Sequence, residues 1–256
     1  MDKKEIISVT EDRWGKAQQE ERSLWIKSNQ RNSYLKVIVK FIKAIQTPKM
    51  LFNYFKYRDF YCGDDWNYWW MEQFENYKAL PKYFEKALEI GCGPFTNIRL
   101  ISKCCKIKEI YCCDPLIDVY TSFNLTWLST QVSKGNINIS EDKCENLKFD
   151  DNYFDLVICI NVLDHVQDII KCLEEIKRVI KQSGFIIFGQ DLSNEEDLLK
   201  KEVKNDIAHP IKISHTTLDA MFDTVYEVRL KKLLLRNKGR NPIAHYGTYI
   251  FIGQKK

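Results

Sequence analysis

The sequence predicts an α/β fold, with a mostly parallel doubly wound sheet after an N-terminal helical segment. From about residue 86, short β-rich runs alternate with helical segments, and this spacing implies right-handed βαβ units with helices on both faces of the sheet. The strand patterns are KALEI, IKEIYCCD, INIS, FDLVICIN and GFIIFGQD, and the helical segments lie near 96–104, 117–131 and 167–181.

The end of the chain breaks this alternation. After a helix capped by Ser214 or Thr216, the runs VYEVRLKKLLL and HYGTYIFIGQ are both strand-like. A loop rich in Gly, Pro and Asn joins them, and no crossover helix lies between them. Two consecutive strands connected in this way are expected to pair antiparallel.

Residues 1–82 are expected to form a helical cap, and residues 83–256 the α/β domain. Apolar residues recur at helical spacing in the cap, and an aromatic stripe includes Trp66, Trp69 and Trp70. This stripe either packs as core or closes over an acceptor molecule, where aromatic faces would stack on a sugar ring. A lysine face, formed by Lys36, Lys40 and Lys43, is expected to be solvated, with a membrane-surface contact as the alternative.

Composition narrows the functional class. Hydrophobic residues make up 45% and charged residues 29% of the chain, as in soluble globular proteins. No apolar run is long enough to span a membrane, and the first residues lack a secretory h-region, so we expect a cytoplasmic protein. Nine cysteines, without two matched C-x-x-C pairs, are expected to be reduced and buried.

Charge is uneven along the chain. The formal net charge is +4, yet residues 225–256 hold eight Lys or Arg and one acid. Such a region can attract an anion, but it carries no nucleic-acid-binding motif. We therefore expect no nucleic-acid partner.

The segment EIGCGPFT forms a glycine turn between a strand and a helix. A phosphate loop would need G-x-x-x-x-G-K-[ST], and no such lysine follows. A dinucleotide fingerprint would need a third glycine where Thr96 stands, and Pro94 removes one N–H donor from the anion-binding end. Gly91 and Gly93 still allow a nucleoside to approach the backbone closely.

The next strand supplies a partner for a ribose. Asp114 ends that strand about twenty residues past the glycines, where a carboxylate can accept both ribose hydroxyls. Glu89 places negative charge near the position of a sulfonium or amino group. These features together predict S-adenosylmethionine as the ligand.

Four segments, LEIGCGP, YCCDP, CENLKFDDNYFDLVICINVLDHV and IKQSGFIIFGQD, occur in an order and spacing that resemble the motifs of class I S-adenosylmethionine-dependent methyltransferases. The resemblance covers residues 84–256. It implies a seven-stranded sheet with an antiparallel last strand, and a cofactor lying across the carboxyl ends of the strands.

The resemblance also implies a set of cofactor-binding residues. Residues on the methionine side are Glu89, Gly91, Cys92 and Gly93; on the ribose side, Asp114 and Pro115; at the adenine edge, Lys143, Cys144 and Glu145; beneath the sulfonium, Asn161 and Val162. Lys143 stands where many relatives have an acid that contacts the adenine amino group. Asp142, Glu145 and the backbone of Cys144 are therefore alternative adenine partners.

His165 and His209 are the candidate catalytic residues. His165 occupies a position that faces the reaction centre in many family members, and it either takes a proton from an acceptor hydroxyl or packs on the cofactor. His209 lies in a region that usually borders the acceptor pocket. No Asp, Glu and His set shows metal-ligand spacing, so we expect no catalytic divalent ion.

Three functions compete: a methyltransferase, a nicotinamide-dependent enzyme, and a methyltransferase-like binding protein without chemistry. The aromatic segment FYCGDDWNYWWMEQF beside the glycine turn is similar to methyltransferases found with bacterial surface-glycan genes. We therefore expect O-methylation of a sugar or glycan hydroxyl, with O- or N-methylation of another small molecule as the alternative. NVLDH stands where DNA amino-methyltransferases usually show N/D-P-P-Y/F, which argues against that class; RNA and protein acceptors stay open.

Overall fold

A computed structural model describes residues 5–30, 65–124 and 126–256. Seven strands of these residues form one sheet with the order β3-β2-β1-β4-β5-β7-β6. The strands are Tyr83–Ile90 (β1), Lys106–Cys113 (β2), Asn138–Ser140 (β3), Phe154–Ile160 (β4), Ile180–Leu192 (β5), Tyr226–Leu235 (β6) and Gly247–Lys255 (β7).

The strand directions confirm the predicted topology. β1 to β5 pair parallel, whereas β7 runs antiparallel to both β5 and β6. β1 lies between β2 and β4, so the chain reverses its direction of progress across the sheet at this strand. In open α/β sheets, ligands bind outside the carboxyl ends of the strands at such a reversal. The glycine turn follows β1 at this point.

The helices that cover the sheet are shorter than the sequence pattern predicts. Those of the described residues are Glu11–Gln30 (α1), Asp65–Gln73 (α2), Ile98–Ile101 (α3), Ile117–Thr121 (α4), Trp127–Ser133 (α5), Ile169–Val179 (α6), Glu195–Leu199 (α7), Lys201–Lys204 (α8) and His215–Val225 (α9). The segment near 117–131 is two helices because the Thr126 side chain accepts a hydrogen bond from Ser129 N and begins α5 anew.

Both faces of the sheet are buried. Along β4, Val157 and Cys159 pack into the apolar layer that contains α6, whereas Leu156 and Ile158 pack into the layer that contains α3 and α5. Adjacent strand residues point to opposite faces, so a strand covered by helices on both sides is apolar throughout. This explains the unbroken apolar run FDLVICI.

The aromatic stripe of α2 belongs largely to the core. Trp70 is buried and lies against Gly189 of β5, where an added Cβ would come within 2.6 Å of the indole ring. Phe74 and Tyr77 are buried beside it, and the rings of Trp70 and Phe74 stack with centroids 6.2 Å apart. The Trp66 side chain lies outside the described residues, as does the predicted lysine face (Lys36, Lys40, Lys43). The division at residue 82 stays a prediction.

Much of the basic charge near the C-terminus is neutralised within the fold. Arg240 pairs with Asp191 at 2.7 Å, and Arg236 pairs with the buried Asp197 at 2.7 Å. Lys231 lies 2.7 Å from Asp219. These ion pairs lower the net positive field of this region. In the part of the chain that the structure describes, no helix combines the length and apolarity needed to cross a membrane.

Candidate active site

The glycine turn is held by Glu89, the penultimate residue of β1. Its buried carboxylate accepts hydrogen bonds from Asn97 N at 2.7 Å and Ile98 N at 2.9 Å, and also from the Asn97 side chain. These are N–H groups at the start of α3, which the helix itself leaves unpaired. Burial raises the pKa of Glu89 from its ordinary 4.5 to about 7, against the lowering effect of these bonds. Glu89 therefore positions the turn, and its predicted direct contact with the cofactor stays a prediction.

Glu89→Gln is expected to flatten the pH dependence of stability. Between pH values of about 4.5 and 7 the folded chain binds a proton at Glu89 that the unfolded chain has lost. The free energy of unfolding of the wild type should therefore fall as pH rises through this window, and the part due to Glu89 should be full below it and lost above it. Urea denaturation at about pH 5 and about pH 8 measures this difference.

The control for this prediction is Glu174→Gln, because Glu174 is an exposed residue on α6. It should keep the pH slope of the wild type. Asp114, whose pKa burial also raises to about 7, supplies a second component of the same sign that both variants retain. Equal slopes for Glu89→Gln and the wild type would contradict the prediction.

Asp114 faces the glycine turn across the end of β2. One carboxylate oxygen accepts from Gly93 N at 3.1 Å and the other from Leu116 N at 2.9 Å. Each oxygen has a further lone pair, so the group can also accept two hydroxyl donors. Pro115 follows it in the turn that leads to α4. The structure thus places the predicted ribose partner beside the predicted methionine-side backbone.

Asn161 and Val162 begin the loop after β4 and lie against the same turn. A Cβ added to Gly91 would come within 2.6 Å of Val162, so the two are in direct contact. Asn161 has a φ of +58°, and its buried Oδ1 has no hydrogen-bond partner among the described residues. Cys92 differs, since its side chain is buried and only its backbone N, bonded to Cys113 O at 3.3 Å, belongs to the turn.

The three residues predicted at the adenine edge do not converge. Lys143 extends to α1, with its Nζ 3.7 Å from the centre of the Trp14 ring. Cys144 is buried in the core. Glu145 accepts hydrogen bonds from Gln167 N at 2.6 Å and Asp168 N at 3.2 Å, and so holds the loop that precedes α6. The assignment of an adenine partner stays a prediction.

Helix α1 lies over the carboxyl ends of the strands. The indole Nε1 of Trp14 donates to His165 O at 3.1 Å, and Arg22 pairs with Asp118 of α4 at 3.0 Å. Trp25 makes edge contacts with Phe95 of the glycine turn, with ring centroids 5.9 Å apart. The sequence pattern predicted a helix here but not its position over the site, because that position depends on contacts with residues 95–165.

Beneath α1, the two candidate catalytic histidines meet around a carboxylate. Their ring centroids are 4.3 Å apart, and the Nε2 atom of each lies 3.9 Å from an oxygen of the buried Asp164. His165 Nδ1 faces Glu21 of α1 at 3.1 Å, and His209 Nδ1 faces Asp206 at 2.7 Å. We call Asp164, His165 and His209 the histidine cluster.

The carboxylates determine the charge of His165. Burial lowers the pKa of its imidazole, but Glu21 and Asp164 outweigh this effect and raise the pKa to about 10. Burial likewise favours neutral Asp164, yet the positive charges of His165 and His209 hold the pKa of its carboxyl well below the usual range. In this arrangement His165 is an imidazolium, which cannot accept a proton. This disfavours the prediction that His165 is the base.

Sequence reasoning missed Asp164, Asp206 and Glu21, and it concluded that no set of residues had metal-ligand spacing. That conclusion rested on spacing within one segment and is corrected here, since Asp164, His165 and His209 offer ligand atoms within 4.8 Å of one another. His209 is 44 positions from His165, so folding alone brings them together. The usable signals were an acid directly before His165 and another three residues before His209.

The residues around the glycine turn fit S-adenosylmethionine. Gly93 has a φ of +54°, and an added Cβ would meet no atom within 4 Å, so there is space above the turn. Asp114 borders this space with free acceptor capacity, and Asn161 contributes an unpaired buried oxygen. A nucleoside with an unphosphorylated ribose and a cationic tail matches this donor and acceptor set.

Comparison with known proteins agrees with this site. A family model described as a methyltransferase domain matches residues 88–188. The chain is 33% identical over 178 residues to an uncharacterized protein of Methanocaldococcus jannaschii, covering 64% of this chain and 75% of that protein. It is 30% identical over 115 residues to a thiol S-methyltransferase of Rattus norvegicus, which covers 43% of each, so the match spans less than half of that enzyme.

Among solved structures, the N-methyltransferase NodS of Bradyrhizobium japonicum in complex with S-adenosyl-L-homocysteine is similar, with a TM-score of 0.51 and 11% identity. The match covers 88% of this chain and 98% of NodS. At that level of identity the likeness shows a shared fold.

Proposed function

Since this chain belongs to the class I S-adenosylmethionine-dependent methyltransferases, we propose that it transfers the methyl group to a sugar or glycan hydroxyl bound at the histidine cluster. S-adenosylmethionine, when bound, supplies an electrophilic methyl group on a sulfonium. The acceptor and the roles of individual residues are the substance of the proposal.

The observation that carries it is the polar cluster beside the loop after β4. His165 and His209 are 20% and 33% exposed, so imidazole edges border accessible space, with a buried carboxylate between them. Several donors and acceptors close together suit a molecule with neighbouring hydroxyl groups. Trp70 gives no support, because its face packs on Gly189 and is not available for a sugar.

A hydroxyl acceptor must lose its proton as the new bond forms. The acceptor oxygen donates a lone pair to the methyl carbon, the C–S bond breaks with its electron pair staying on sulfur, and S-adenosylhomocysteine is left. We assign the proton to His209, because the carboxylate of Asp206 at 2.7 Å orients its imidazole through Nδ1. His165, as an imidazolium, then provides a hydrogen-bond donor and positive charge. Helix α1 excludes water from the strand ends.

A thiol acceptor is the second candidate, and it is favoured by the similarity to the thiol S-methyltransferase. A thiol has a pKa of about 8.5, so near pH 9 it ionises without help from a base. Loss of His209 should then matter little. A hydroxyl acceptor would still need a proton acceptor under those conditions.

The test is transfer of label from methyl-labelled S-adenosylmethionine to panels of sugars, nucleotide sugars, small thiols and amines. We expect label in the sugar panel, and His209→Gln should lower kcat about 100-fold or more, with little change in cofactor affinity. His215→Gln is the matched control, because His215 begins α9 and bonds Tyr246 outside the cluster. Label only in thiols, unaffected by His209→Gln near pH 9, would establish the second candidate. Cofactor binding with no labelled acceptor would favour the non-catalytic hypothesis.

A further inference from the structure

The histidine cluster has the composition of a metal centre. It combines two imidazoles and one carboxylate from two separate segments, the loop after β4 and the chain after α8. Both Nε2 atoms lie 3.9 Å from oxygens of Asp164. The backbone also joins the two segments, because Ile211 N donates to Asp164 O at 3.3 Å.

The carboxylates around the cluster select which nitrogen of each ring faces Asp164. Glu21 is at the Nδ1 of His165, and Asp206 is at the Nδ1 of His209, so the Nε2 atoms are both left for the centre. Metal-binding histidines usually donate their other ring N–H to a carboxylate or carbonyl in this way, which fixes the ring and strengthens the ligand. Two such pairs around one carboxylate are a specific arrangement.

Asp164 also lacks a partner that would explain its position. The residue is 6% exposed, and its Oδ1 accepts no hydrogen bond from any described residue. An unpaired buried carboxylate oxygen is costly unless something compensates it. Lys212 is a buried cation near Asp164 and Asp206, but none of its printed contacts joins its ammonium to that oxygen. A cation between the two Nε2 atoms and Asp164 would pair it.

We propose that Asp164, His165 and His209 bind one divalent transition-metal ion of the Zn²⁺ or Fe²⁺ type. Imidazole ligands favour these ions over Mg²⁺ and Ca²⁺, which take oxygen ligands. Three protein ligands leave coordination positions open, as in catalytic metal sites.

The role of the ion rests on the proposed function. An acceptor oxygen bound at an open position would lose its proton to water more readily, because the ion stabilises the anion. His209 would then act as a ligand instead of a base. Binding of the ion by itself requires neither cofactor nor acceptor, so it can be measured separately.

The primary test is calorimetric titration of the chelator-treated, desalted chain with Zn²⁺, in the absence of S-adenosylmethionine. We expect one ion per chain and no heat from Mg²⁺. His209→Gln and Asp164→Asn should each weaken Zn²⁺ binding at least about 100-fold, and Asp206→Asn, which only orients His209, about 10-fold. His215→Gln is the control and should bind like the wild type.

Two further measurements keep the result clear. Circular dichroism and thermal unfolding show whether each variant folds; the more exposed His209 provides the decisive variant if Asp164→Asn does not. The visible spectrum of the Co²⁺ form should show nitrogen and oxygen ligands without a thiolate band, which excludes binding by the cysteines. No Zn²⁺ bound, a thiolate spectrum, or equal affinity for the wild type and His209→Gln would overturn the proposal.

Failure of the metal proposal and failure of the proposed function give different results. Zn²⁺ binding at the cluster without methylation of any sugar leaves the metal site and removes the acceptor. Sugar methylation by a chain that binds no Zn²⁺ leaves the acceptor and removes the metal.

Discussion

Asp114→Ala is expected to weaken binding of S-adenosylmethionine by about 30- to 150-fold, equivalent to about 2–3 kcal/mol. The carboxylate lies at the end of β2, faces the glycine turn through Gly93 N, and keeps acceptor capacity for two ribose hydroxyls. Removing it leaves those hydroxyls unpaired in a partly buried place and also releases the backbone of Gly93. Both effects lower affinity for the bound nucleoside.

Calorimetry with S-adenosylhomocysteine and with S-adenosylmethionine measures this loss. The matched control is Asp118→Asn, because Asp118 is an exposed carboxylate four residues further on, paired with Arg22. This variant should bind the cofactor like the wild type, since exposed pairs contribute little. Wild-type affinity in Asp114→Ala would show that the ribose lies elsewhere and that Asp114 serves only to hold Gly93 and Leu116.

The sheet was predictable because each strand carries its own local signal. The runs around Leu88, Val157 and Ile187 are apolar enough to be covered on both faces, and each ends at a residue that cannot continue the strand in the core. Asp114 was predictable for the same reason, since a carboxylate directly after a buried strand must lie at the sheet edge. Chain order and strand direction then place it beside the glycine turn.

The histidine cluster was not predictable in this way. Its residues come from α1, the loop after β4 and the segment after α8, and no local pattern determines how α1 crosses the strand ends. Trp14 reaches His165 O, and the backbone of Ile6 pairs with Lys212, so the first residues of the chain are tied to the His209 segment. These contacts join residues about 150 to 200 positions apart.

Glu89 shows the converse error. Its position at the end of β1 suggested a charge for the cofactor, whereas both of its oxygens accept bonds from the start of α3. A carboxylate there serves the unpaired N–H groups of the following helix first. Sequence position indicated where Glu89 lies but not which neighbour it binds.

Gly91→Ala is expected to destabilise the fold by about 2–4 kcal/mol and to weaken cofactor binding together with it. Gly91 has a φ of +59°, which costs an L-residue roughly 1–2 kcal/mol. Its new Cβ would also lie 2.6 Å from Val162 Cγ2 and 2.9 Å from Cγ1. Overpacking of this kind costs about 1–3 kcal/mol and would displace the loop that carries Asn161.

Gly93→Ala is the matched comparison, because it separates strain from collision. Its φ is +54°, but an added Cβ meets no atom within 4 Å. We expect a loss of stability of about 1–2 kcal/mol from strain alone, with a large loss of cofactor affinity because the methyl group enters the space above the turn. Urea denaturation and calorimetry on both variants measure the two effects. Val162→Ala should restore part of the stability lost in Gly91→Ala, since it removes the two colliding methyl groups, and strictly additive effects in that double variant would rule out the contact as the cause.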